Sequence, residues 1–106
     1  MIRIDFTEVA DSQVSLSVTG HSGSAEKGQD IICSAVSVLV QTFAAGVESA
    51  LKAEIRGQIA DGNCQIKITV LPEVKNEFAA VCNVFKFGFQ KIAQTYPEQV
   101  RMNLVT

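Results

Sequence analysis

The sequence predicts an α/β (α+β) fold of two layers, in the order β-β-α-β-β-α-β, with a mostly antiparallel sheet covered on one face by two helices. Three observations predict it. Five segments alternate apolar and polar residues with period two. Two longer segments carry apolar residues at steps of three and four. The chain has 106 residues, 47% of them hydrophobic, which suits one domain over residues 1–106 with a core large enough to need no disulfide or metal staple.

The elements follow in order. Ile2, Ile4 and Phe6 alternate with Arg3, Asp5 and Thr7, and Val14, Leu16 and Val18 alternate with Ser15, Ser17 and Thr19. A short polar break joins them as a hairpin with one buried face. From about Asp30 to Lys52, Ile32, Val36, Leu39, Val40, Phe43, Val47 and Leu51 form one helical stripe. Residues 54–60 and 64–71 alternate again around Asp61-Gly62-Asn63, a strong turn signal. There Ile55 and Ile59 share one face of the first strand, while Cys64, Ile66, Ile68 and Val70 share one face of the second.

The second helix runs from Glu73 to Tyr96, with Pro72 at its first position, Pro97 ending it, and the stripe Val74, Phe78, Cys82, Phe85, Phe89, Ile92 and Tyr96. Glu73 and Glu77 near its start and Lys86 and Lys91 near its end suit the helix dipole. Val100, Met102 and Leu104 make the fifth strand. Val38, Ala35, Ala45, Val84 and Phe87 fall off the two stripes, and leftover apolar surface of this kind points to a symmetric dimer.

Composition excludes several classes. A formal net charge of −2 argues against a protein that grips phosphate backbones, so direct nucleic-acid binding is not expected. Charges at Arg3, Asp5, Glu8 and Asp11 interrupt the start of the chain where a signal peptide needs an apolar run. No apolar run approaches the roughly 18 residues of a membrane span. Three cysteines without a CxxC pair do not suggest a secreted disulfide framework, and a cytoplasmic protein with reduced thiols is expected.

Residues 20–30, GHSGSAEKGQD, show neither period. Long loops in compact domains usually carry function or are disordered. This one holds three glycines and the only histidine, His21. Asp30 suits the cap of the helix that follows. Cys33 then falls in the first helical turn, where the terminus favours a thiolate, and His21 is a base able to take the thiol proton. At about 100° per residue, Asp30, Cys33 and Ser37 share one flank of the helix.

Each has a plainer reading. A cysteine on an amphipathic helix is more often core filler, as Cys64 and Cys82 are on their apolar faces. Asp30 can be a cap alone, and Ser37 can bond back to a carbonyl one turn earlier. Neither GxxxxGK[ST] nor spaced metal-ligand pairs occur, so no cofactor and no metal are expected.

The stretch Gly20-His21-Ser22-Gly23, followed by Gly28-Gln29-Asp30-Ile31-Ile32-Cys33-Ser34-Ala35-Val36-Ser37, resembles the signature G-H-x-G-x(4)-G-x-D-x-x-C-x-x-V-S of the ribosomal-processing cysteine protease (Prp) family. Length and element order are similar to that family as well. The resemblance implies a cytoplasmic homodimeric endopeptidase that removes a short N-terminal extension from a large-subunit ribosomal protein precursor during ribosome assembly. It places the nucleophile on Cys33, the general base on His21 and supporting positions on Gly20, Asp30 and Ser37. It also implies that the loop between His21 and Cys33 rearranges when peptide binds. The residues alone leave a non-enzymatic ribosome-associated binding module, or a thiol redox protein, as alternatives.

Overall fold

A computed structural model describes residues 1–21, 31–60 and 62–105. Its elements are β1 (Ile2–Ala10), β2 (Gln13–Thr19), α1 (Ile31–Leu51), β3 (Glu54–Ala60), β4 (Asn63–Thr69), a single 3-10 turn (Pro72–Val74), α2 (Lys75–Thr95) and β5 (Val100–Val105). The strands form one sheet in the order β3-β4-β2-β1-β5. Only β1 and β5 run parallel; β1–β2, β2–β4 and β3–β4 are antiparallel. The two-layer, mostly antiparallel arrangement is the one that the alternation predicted.

Period two places one row of each central strand beneath the helices. Ile2, Ile4, Phe6, Val14, Leu16, Val18, Cys64, Ile66 and Ile68 are buried, while their neighbours along the strands are open or half-open. The α1 stripe of Ile32, Val36, Val40, Phe43 and Val47 meets this face, joined by Phe78, Cys82 and Phe89 of α2. Phe43 ties the layers together. Its ring lies 5.9 Å from that of Phe6 and 5.0 Å from that of Phe85, within the range of favourable aromatic pairs.

Four expectations are corrected. First, β4 ends at Thr69 rather than residue 71: the Val70 N–H makes a last in-register bond to the Ser12 carbonyl at 2.9 Å, and the 3-10 turn opens at Pro72. Second, Pro72 opens a 3-10 turn, and the α-helix proper starts at Lys75. No basic residue occupies its last turn: Lys91 lies just before it, and Lys86, further back, pairs with Glu8 of β1 and lies 5.9 Å from the Phe6 ring centroid. Third, Ile59 is 45% exposed, because β3 is an edge strand beyond the area the helices cover. Fourth, α1 is by length and composition apolar enough to cross a membrane. Scattered Ser, Thr and Gln hide this from a search for unbroken apolar runs, and its stripe packs on the sheet as a core helix does.

Candidate active site

The site forms where the β2 end, the α1 start and the β3–β4 hairpin meet. Gly20 closes β2 with φ +92°, and a β-carbon there would lie 2.2 Å from the Met1 carbonyl oxygen. Only glycine fits such an approach at that backbone angle. The Gly20 N–H donates to the Gly62 carbonyl at 3.0 Å, which ties the β2 end to the hairpin turn. The carbonyl of the next residue, His21, accepts a hydrogen bond from the Met1 ammonium.

These bonds fix the backbone on both sides of His21. The imidazole rests over Gly62. A β-carbon at Gly62, where φ is +74°, would lie 2.8 Å from His21 Nε2 and 3.0 Å from Cε1. Gly62 thus supplies both the left-handed turn and the space for the ring. His21 itself is exposed.

Across the cleft, Cys33 is the third residue of α1 and is half-buried. Ser37 follows one turn later on the same flank, and its Oγ accepts a hydrogen bond from Gln41 Nε2 at 3.0 Å. That partner lies one turn forward along the helix.

Gly20, His21, Cys33 and Ser37 all line one cleft of about 240 Å³. Its floor is a cross-strand row: Ile59 of β3 faces Cys64 of β4, which faces Val18 of β2. Ile2, Val36 and Val40 complete the apolar lining, and Gln41, Ala60, Gly62 and Asn63 shape the rest. Asp30, Gly23 and Gly28 lie outside the described residues, and among the described residues no group of three or more His, Cys, Asp or Glu is placed to hold a metal.

The three thiols differ in setting. Burial pushes the Cys64 thiol up from its ordinary value. Cys82 is pushed up to about 12, first by burial and then by the Glu8 carboxylate, against the opposing charge of Lys86. Both thiols therefore stay protonated and unreactive near neutrality. Of the two thiols that line the cleft, Cys64 is buried in its floor, whereas Cys33 is half-buried at a helix start and shares the cavity with an imidazole.

Sequence reasoning missed Gly62, Ile59, Ala60, Asn63 and Gln41. Asp61-Gly62-Asn63 signalled a turn, but no local pattern shows that this turn carries the histidine. Gln41 was legible in principle, as the i+4 neighbour of Ser37 on the same flank.

The fold is shared with solved structures. It superposes with a TM-score of 0.80 on the ribosomal processing protease Prp of Staphylococcus aureus in complex with a covalently linked product peptide, at 21% identity over 98% of this chain and 99% of that one. The same S. aureus protease with a substrate peptide gives a TM-score of 0.75 at 20% identity, over 98% and 99% of the two chains. The SMU.848 protein of Streptococcus mutans gives 0.77 at 28% identity, over 100% and 95%. No curated protein matches the chain. The chain belongs to the cysteine protease Prp family, whose model matches residues 1–101, from the first strand into the last.

Proposed function

We propose that this cysteine protease is an endopeptidase that removes the short N-terminal extension of a large-subunit ribosomal protein precursor during ribosome assembly, with Cys33 as nucleophile and His21 as general base. The observation that carries the reading is the shared cleft: Cys33 in the first turn of α1 and His21 over Gly62 line the same cavity. That the S. aureus protease of the same fold holds a product peptide covalently supports a covalent route.

The chemistry follows from the residues. His21 takes the Cys33 proton, and the sulfur attacks the carbonyl carbon of the scissile peptide bond. Backbone N–H groups at the start of α1 stabilise the oxyanion that forms. Collapse breaks the C–N bond, and the imidazolium returns its proton to the leaving amine. Water, deprotonated by His21, then attacks the thioester carbonyl, releasing the carboxylate product and restoring the thiol. Gly20 supports His21 through its bond to Gly62, and Ser37 flanks the nucleophile; Asp30, the further supporting position that the family signature names, lies outside the described residues. The chemistry requires no cofactor.

The enzyme works in the cytoplasm as a homodimer. Val38, Val84 and Phe87 on the outer sides of the helices are each more than 60% exposed, an apolar surface that suits a second copy. Light scattering at micromolar protein is expected to give twice the chain mass, and a monomer mass overturns this part.

The decisive test is cleavage of a synthetic peptide spanning the extension. Cys33→Ala and His21→Ala are each expected to abolish cleavage while the circular dichroism spectrum stays native. Full activity in Cys33→Ala overturns the reading.

A further inference from the structure

We propose that the open edge of β3 beside the cleft is where the substrate docks, the peptide adding to the sheet as an extended strand at Ile59 and being led from there past Cys33. This rests on the protease reading above and goes further by naming how the substrate is held.

Three observations carry it. First, β3 ends the sheet, so among the described residues one side of its backbone has no strand partner. Ala60 lies opposite Asn63 across a two-residue connection, which closes the hairpin as a hydrogen-bonded pair, and Gln58–Gln65 is the next such pair. The intervening Ile59–Cys64 pair is then the non-bonded kind, and the Ile59 N–H and C=O point away from β4 toward the free edge.

Second, this stretch is continuous with the cleft. Ile59 and Ala60 line the same cavity as Cys33 and His21. The other free edge, on β5, lies at the opposite end of the sheet.

Third, the strand is guarded where it leaves the cleft and open where it meets it. At the far half, Glu54 and Arg56 form an ion pair, and Gly57 at φ +115° breaks the extended geometry. Charges and irregularities of this kind protect an edge from unwanted pairing. Gln58, Ile59 and Ala60 carry neither charge nor proline. Main-chain pairing supplies affinity with little demand on side chains, while the apolar floor beside it selects one of them.

The test uses amide exchange in the Cys33→Ala protein, with a synthetic peptide spanning the extension as probe. At saturating peptide, exchange at the Ile59 amide is expected to slow roughly tenfold or more. Gln58 and Ala60, already bonded to β4, change little. In an N-methyl scan of the peptide, methylation of the amide that pairs with Ile59 is expected to lower affinity roughly 3–10-fold, while its immediate neighbours tolerate it. An Ile59 amide that stays unprotected, a scan without alternation, or no binding at millimolar peptide overturns the docking. So does protection of Ile59 that rises with protein concentration and no peptide, which would mean that a second copy occupies the edge. Cleavage of the unmethylated peptide by the unsubstituted protein is read separately. No cleavage alongside a protected Ile59 overturns the protease reading and leaves the docking intact.

Discussion

The imidazole of His21 sits where the side chain of residue 62 would begin: a β-carbon on Gly62 would lie 2.8 Å from Nε2. The two residues are 41 positions apart, yet the histidine's place is set by the absence of a methyl group on the hairpin turn. The backbone link from the Gly20 N–H to the Gly62 carbonyl holds the two segments together at the same point.

Gly62→Ala is therefore expected to push the ring off its seat. Catalytic turnover should fall roughly 10–100-fold, the scale on which small misplacements of reacting groups act, with KM changed much less. The strained backbone angle adds a stability loss of about 1 kcal/mol. Steady-state kinetics and thermal unfolding separate the two effects. A variant that melts earlier but turns over normally would show that the glycine serves only the turn.

Alkylation should distinguish the three cysteines. In the folded protein at pH 8, iodoacetamide is expected to modify Cys33 well before Cys64 or Cys82, because burial pushes the thiols of both up and closes them to reagent. Peptide mapping by mass spectrometry after timed quenching gives the order. Equal labelling of Cys82 and Cys33 would contradict the burial of Cys82, and both should label at similar rates once urea unfolds the chain.

Stability should decline in alkali, and the sign can be worked out from Cys82. Its folded pKa of about 12 lies above the roughly 8.5 of an unfolded cysteine. Above pH 9 the unfolded chain has released this proton and the native one has not, so each further rise in pH favours unfolding. The contribution is whole below about pH 8.5 and is lost progressively toward pH 12, reaching about 1–3 kcal/mol near pH 11. Cys64, shifted the same way, adds to it. Urea denaturation between pH 8 and 11 should show a shallower decline in Cys82→Ala than in the unsubstituted chain. Parallel declines would remove Cys82 as a cause.

Much of the fold was legible because its signals are local. The alternation in Ile2–Phe6, Val14–Val18 and Cys64–Ile68 reports which face of a strand is buried, and the α1 and α2 stripes report which side of a helix is, without knowledge of any partner. Cys64 and Cys82 were placed in the interior by the same periodicity. On the helix flank, Cys33 and Ser37 were legible as neighbours because four residues make about one turn. His21 was legible as the histidine of the long aperiodic loop, and the resemblance to the family signature placed the general base there.

Tertiary structure decided what no window of sequence contains. The strand order leaves β3 at the edge, which opens Ile59 where period two alone predicted a covered face. Packing pairs Lys86 with Glu8, 78 residues away, rather than leaving it to the helix dipole. It also brings Gly62 under the histidine. Periodicity encodes burial along one element, whereas the seat of His21 and the floor of its cleft depend on which elements become neighbours. That is set by the chain closing its core.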